Sequence, residues 1–160
     1  PALGAHGLNG PEVRTMVLRS VDPVTRQLIA QTDVRSTKVP GFRKDPRVAW
    51  HFFDPQTKVQ VRANGRVTVH HDDEVTRAAW AAVPEANKRN YATPSAPGLP
   101  VDDPSISQAQ AGAYTTAYAN FTVLCAEITF IDWLQLGDEC HRRAQFTWTG
   151  SDWRGAWVVP

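Results

Sequence analysis

The clearest periodicity in the chain lies between Lys58 and Val69, where Val59, Val61, Ala63, Val67 and Val69 fall on one face. Lys58, Gln60, Arg62, Arg66 and Thr68 fall on the other. A period of two is that of a strand with one buried face, leaving the polar face for water or a ligand. Upstream, residues 13–20 (VRTMVLRS) predict a strand ending at Asp22-Pro23, and residues 26–32 predict its hairpin partner. Residues 33–46 hold a short helix over 38–44, with Ser36 as N-cap and Pro40 tolerated in the first turn. Residues 47–53 form an apolar, aromatic strand closed by Asp54-Pro55. Residues 71–83 read as an amphipathic helix opened by Asp72, Asp73 and Glu74, and Pro84 starts a second over 85–91. Residues 93–105, rich in Pro, Ser and Gly, are a long loop. Three strands follow, over 121–136, 141–148 and 153–159, the last pair turned by Gly150-Ser151-Asp152.

Seven or so strands with two or three short helices predict a mostly β (α+β) fold, a small antiparallel barrel decorated by helices. Residues 1–160 are expected to be one domain, because only about 55 residues follow the long loop, too few for a comfortable second core. Neither an internal repeat nor a low-complexity tract stands out. The chain starts at Pro1, without an initiator Met, a few residues before a strong strand, so an upstream element lost or trimmed is expected.

Composition narrows the function. Seventeen basic residues against 16 acidic give a net charge of +1, no signature of a nucleic-acid partner, so any phosphate site must be local. No signal peptide and no apolar run near the ~18 residues of a membrane span are present, which points to the cytoplasm and away from a membrane partner. Cys125 and Cys140 lack metal spacing and read as free thiols of a reducing compartment. His70-His71-Asp72-Asp73-Glu74 resembles a metal cluster in composition only. Adjacent residues at a strand-to-helix junction diverge, and acids belong at a helix start. No metal is expected.

Three segments combine strand pattern with binding groups: Arg14-Thr15-Met16-Val17-Leu18-Arg19, then Gln31-Thr32-Asp33-Val34-Arg35-Ser36-Thr37-Lys38, then Trp133 with His141-Arg142-Arg143. In this order, with Asp45-Pro46-Arg47-Val48 and the closing residues 153–160, they resemble the pyridoxamine 5′-phosphate oxidase-like family of FMN-binding split barrels. The closest likeness is to the branch of unassigned substrate, and it runs over nearly the whole chain.

The resemblance implies a six- to seven-stranded antiparallel split β-barrel that binds FMN at a homodimer interface. It makes Arg14, Thr15, Met16, Val17, Leu18 and Arg19 the cofactor strand, with Gln31 and Thr32 on the second strand. Arg35, Ser36, Thr37 and Lys38 fall at the phosphate clamp, Thr37 standing where the oxidases carry arginine. Gln60 matches the glutamine at the flavin ring edge. Trp133 and Arg143 match groups that the second subunit supplies. His141 is the candidate for proton handling or substrate orientation. Arg14 and Arg19 are five apart, on opposite faces of a regular strand, so both reach one FMN only through a bulge or a strand end.

The substrate side departs from the oxidases. Their phosphate-clamping stretch corresponds to the region near Trp80, Pro84 and Lys88, which keeps at most one cation, and Glu139 precedes His141 where a carboxylate repels phosphate. Oxidation of pyridoxamine phosphate is therefore not expected. The leading reading is an FMN-dependent oxidoreductase acting on an unassigned small molecule. A flavin carrier or sensor without turnover, and a deazaflavin-dependent reductase on the same barrel, are the alternatives. Taken singly, each basic residue reads equally as a solvated strand side chain, and Trp133 as packing.

Overall fold

The structure is a computed structural model and describes residues 1–107 and 114–160. Nine strands and four α-helices occur among them: β1 Ala2–Gly7, β2 Gly10–Thr15, β3 Leu18–Asp22, β4 Gln27–Asp33, α1 Lys38–Lys44, β5 Arg47–Asp54, β6 Val59–His70, α2 Glu74–Ala81, α3 Glu85–Lys88, α4 Tyr114–Asn120, β7 Phe121–Gln135, β8 Arg142–Trp148 and β9 Trp153–Val158. All strands pair antiparallel, in the order β2-β1-β5-β6-β7-β4-β3, with β8 and β9 continuing from β7. The seven-strand path carries the split-barrel architecture expected from the sequence.

Its two end strands, β2 and β3, come from the run expected to be one strand over 13–20. The chain leaves the ladder at Met16 and Val17, where the Met16 amide bonds to the Pro1 carbonyl. Residues before the break pair with β1 and those after it with β4, so a single connection draws the two sheet ends together.

The core explains why β6 and β7 are long. Alternate residues Ala63 and Val67 of β6 pack with Leu124, Ala126 and Ile128 of β7, and with Leu3, Met16, Trp50 and Phe42. Between Asn64 and Gly65 the register slips by one residue, leaving Thr129 unopposed. A Cβ at Gly65 would lie 1.9 Å from the Glu127 carbonyl oxygen, so only glycine lets the strands approach at this bulge. A second cluster, Val83, Tyr91, Ala117, Phe121, Val123 and Cys125, seats the helices on the outer face of β4 and β7. Trp80, Tyr91 and Phe121 meet there with ring centroids 5.0–5.8 Å apart.

The β3–β4 and β5–β6 hairpins share one turn, Asp-Pro-x-Thr-Arg/Lys. In each, the aspartate accepts the threonine hydroxyl at 2.6 Å, and the following Arg26 or Lys58 takes a left-handed φ of 58° or 53°. The threonine bond and the aspartate's backbone contacts hold the turn open enough for that geometry.

Several expected elements differ. β1 and α4 were not predicted. The first helix is capped by Thr37 rather than Ser36, without a side-chain cap bond. The helix expected over 71–83 starts only at Glu74, because Asp72 has φ 55° and Asp73 forms a reciprocal capping box with Thr76. The helix expected over 85–91 tightens into a 3-10 turn at Arg89–Tyr91. Among the described residues, no helix is long and apolar enough to cross a membrane.

Candidate functional site

At the rim where β4 ends, Lys38 extends from the first turn of α1 back over the strand. Its Nζ donates to Thr32 Oγ1 at 3.0 Å and to Ser36 Oγ at 2.6 Å. Thr32 and Ser36 are both buried. Arg14 lies on the core-facing side of β2, opposite Leu3, close enough that its charge, after burial itself, depresses the Lys38 ammonium pKa. Arg14 is also desolvated and pairs with Glu12. Met16 is buried beneath this rim, while Thr15 and Val17 are exposed.

Arg35 is committed elsewhere. Its guanidinium forks onto Asp33, at 2.7 Å from Nη2 to Oδ2, and also donates to the Thr93 carbonyl and hydroxyl. Thr37 is exposed at the helix start. Of the expected clamp, Lys38 and Ser36 are therefore brought together, with Thr32 and Arg14 beside them, whereas Arg35 and Thr37 are not.

Arg19 is the extra residue of a bulge between Leu18 and Ser20. Arg14 and Arg19 flank the same end of β4 from its two faces. Arg19 is exposed, lies near enough to Tyr91 for its charge to oppose the rise that burial gives the Tyr91 pKa, and shares a cleft with Ser20 and Gln31. The chain between the two arginines thus holds both a break and a bulge, and the two side chains lie on opposite faces of β4.

The remaining expected residues lie far along β7. Thr32 pairs with Thr122, whereas Gln60 and Arg143 both pair with Leu134. Twelve strand residues make a contour of roughly 40 Å, too far for one flavin mononucleotide to touch both sets within one chain. Gln60 hydrogen-bonds His51 at 3.1 Å. Trp133 sits opposite Ala144 on the other face from Arg143, in an apolar groove against Trp157 with centroids 6.3 Å apart. His141 shares a small cleft with Arg143 and Trp157. The Gly137 amide donates to its Nδ1 at 3.3 Å, which leaves Nε2 as the outward donor.

Sequence reasoning missed Asp132. It is 1% exposed and accepts from Arg143 Nε and Nη2 at 3.0 and 2.7 Å, Arg62 Nη2 at 2.6 Å and Gln145 Nε2 at 2.9 Å. The Arg143 bonds above all hold its pKa well below the carboxylate range, against the opposing effect of burial. An aspartate inside the apolar run Ile128–Leu134 was the available signal. The fork consumes one edge of Arg143 and leaves Nη1 to face outward.

The rim cluster fits a phosphate. The ammonium is desolvated, bonds only to hydroxyls and has a second cation beside it, while the nearby Asp33 is taken up by Arg35, so a dianion would add the missing direct partner. Residues of the expected metal-like run are engaged otherwise: His70 Nδ1 meets Asp73 at 2.7 Å and His71 Nδ1 the Phe121 carbonyl at 3.0 Å.

The chain is similar to known proteins in sequence and in fold. Residues 3–71, which include the rim cluster, match the family profile described as the pyridoxamine 5′-phosphate oxidase, FMN-binding domain. Pyridoxine/pyridoxamine 5′-phosphate oxidase 2 of Arabidopsis thaliana is 29% identical over 145 residues, 84% of this chain and 72% of that protein. Among solved structures, a pyridoxamine 5′-phosphate oxidase-related, FMN-binding protein of Nostoc punctiforme superposes with a TM-score of 0.84 at 24% identity, covering 99% of this chain and 87% of that one. PhzG of Burkholderia lata, solved with tetrahydrophenazine-1-carboxylic acid, gives 0.76 at 17% identity, covering 99% and 81%. The chain thus resembles the pyridoxamine 5′-phosphate oxidase FMN-binding domain in sequence over residues 3–71 and shares the fold of the Nostoc protein over nearly its whole length.

Proposed function

We propose that residues 1–160 form one FMN-binding domain of a cytoplasmic, homodimeric oxidoreductase. The observation that carries this reading is Lys38, a desolvated ammonium held by two hydroxyls beside Arg14. Lys38, Ser36, Thr32 and Arg14 would hold the FMN phosphate by charge-assisted bonds. The contour between this rim and Gln60, Trp133 and Arg143 supports a site shared by two chains, each completing the other's. Two free thiols, Cys125 and Cys140, fit a reducing compartment.

FMN, when bound, supplies the hydride or electron chemistry. The chain's own residues bind and orient. Arg19, Gln60 and the free edge of Arg143 would bring donors and positive charge to the ring edge, and His141 Nε2 would offer a proton donor beside Arg143. Oxidation of a phosphorylated pyridoxamine is not part of the proposal, since Lys88 is paired with Glu85 at 3.0 Å and lies over the Trp80 ring.

The test is direct. Purified protein should be yellow, release a compound of FMN mass on denaturation and elute as a dimer in light-scattering chromatography. A colourless protein that fails to bind added FMN, or one that releases a deazaflavin, overturns the cofactor assignment. Failure to reduce the bound flavin with NAD(P)H and with a panel of small-molecule reductants would favour a carrier.

A further inference from the structure

The flavin reading puts Gln60 at the ring edge, where an amide can present either an acceptor oxygen or a donor nitrogen. One neighbouring side chain decides between them. Gln60 sits opposite Phe53 on β5, and His51 sits opposite Arg62 on β6, so His51 and Gln60 meet diagonally on one face of the β5–β6 ladder. Both are half-buried, and His51 Nε2 lies 3.1 Å from Gln60 Oε1.

The surroundings leave this contact without a rival. Arg62, the donor two residues along the same strand, is drawn away to Asp132 on β7 at 2.6 Å. Arg143 turns to the same carboxylate. Phe53 and Leu134, directly beside Gln60 on the neighbouring strands, have apolar side chains. His51 is therefore the one side-chain partner of the Gln60 amide among the described residues. On its other flank His51 faces only Ala2 of β1, whose methyl competes for neither ring nitrogen.

An amide oxygen accepts, so Nε2 carries the hydrogen and His51 is the donor. With its oxygen held, the amide turns its NH2 group away from His51 and offers two donors in a fixed direction. An unheld glutamine would share its time between the two orientations and lose rotamer freedom on meeting a ligand. Reduction adds negative charge to a flavin ring, and donors already fixed at its edge favour the reduced form over the oxidised one.

We propose that His51 is a positioning residue: by holding Gln60 Oε1 it fixes Gln60 as a hydrogen-bond donor and so raises the midpoint potential of the FMN bound beside it. The effect on potential rests on the flavin reading above, whereas the fixing of the amide does not.

Two measurements test the two halves. In flavin-free protein at pH ~8.5, above the ordinary imidazole range, the ring ¹⁵N resonances of His51 should show the hydrogen on Nε2, with a shift that Gln60→Leu alters. Hydrogen on Nδ1 overturns the proposal, because Nε2 would then accept from the amide and turn its oxygen outward. A His51 resonance indifferent to Gln60→Leu overturns it as well. In FMN-loaded protein, titrated with dithionite against an indicator dye, His51→Leu should lower the preference for reduced over oxidised flavin about tenfold, roughly 30 mV for two electrons. Gln60→Leu should lower it at least as much, and the double variant no further than Gln60→Leu alone. A wild-type potential in His51→Leu, or losses that simply add in the double variant, overturns the positioning role. If His51→Leu does not fold, the tautomer and its response to Gln60→Leu decide. Protein that shows the Nε2 tautomer but takes up no FMN refutes the flavin reading and leaves the fixed amide standing. FMN uptake with the Nδ1 tautomer does the reverse.

Discussion

Two groups of cations, one at each end of the β7 ladder, each bring two positive side chains together and are opposite in kind. Arg62 and Arg143 converge on Asp132, a carboxylate 1% exposed that also takes a bond from Gln145. Every charge there has its counter-charge within the fold. Lys38 and Arg14 at the other end crowd one another, and Lys38 donates to hydroxyls. Glu12, two residues from Arg14 on the same strand, is the acid nearest in sequence and pairs with Arg14. Cations alone therefore say little about function. What separates a group that joins strands from a group that awaits a ligand is whether a buried acid bonds to its cations: Asp132 does, whereas Asp33, buried near Lys38, is taken by the fork of Arg35.

The largest effect should come from removing that acid. Asp132→Ala leaves two guanidiniums without a partner between β6 and β8, although both reach water, so a loss of about 3 kcal/mol is expected. Urea denaturation measures it. An unchanged midpoint would erase the contrast between the two ends. The pH dependence sharpens the same point. Because the folded-state pKa of Asp132 is depressed, its contribution is complete above the unfolded carboxylate value near ~4 and is lost as pH falls through the lower folded value. The stability gap between wild type and Asp132→Asn should be full at pH 7 and shrink progressively below pH ~4. A gap that stays constant to pH ~2.5 would mean that the carboxylate charge contributes nothing.

Next in size is Lys38→Met. Losing a charge-assisted contact to phosphate should weaken FMN binding by about 2 kcal/mol, roughly thirtyfold in Kd, read by flavin fluorescence titration. The apoprotein should be no less stable, since burial and Arg14 already disfavour the ammonium. A drop in apoprotein stability with unchanged FMN affinity would turn the rim into a second structural cluster.

How much of this was legible follows from how local each cause is. The alternation from Val59 to Val69 reports its own burial, and the Asp-Pro turns report their own chemistry, so β6 and both hairpins could be read directly. β1, sequence Ala2–Gly7, carries Leu3 as its one large apolar residue and strand-poor glycines besides, and it forms because β2 and β5 hold it from both sides. α4 opens on Tyr-Thr-Thr with no cap signal, and Ala117 and Tyr118 anchor it against Tyr91 and Trp80. The break at Met16 and Val17 is set by where β2 and β3 find partners, not by a glycine or proline. The candidate residues were nameable through the family resemblance, but their grouping was not. The partner of Arg35 is two residues away and Arg143 finds its partner 11 away, whereas the Arg62–Asp132 pairing spans 70 residues and exists only once β6 and β7 align.

The smallest expected effect is the most useful control on the comparison. Asp45 and Arg47 make the same forked contact as Asp132 and Arg143, with Nη2 to Oδ2 at 2.5 Å, and the contact likewise drives the carboxylate pKa far below its usual range. Arg47, however, keeps 68% of its side-chain surface in water and faces Arg66 directly across the β5–β6 ladder. Water screens the attraction, and the opposed arginines repel one another. Arg47→Ala should consequently move the thermal midpoint by less than about 1 °C. A shift rivalling that of Asp132→Ala would show that pairing by itself stabilises this fold, in which case burial could not be the variable that distinguishes its two ends.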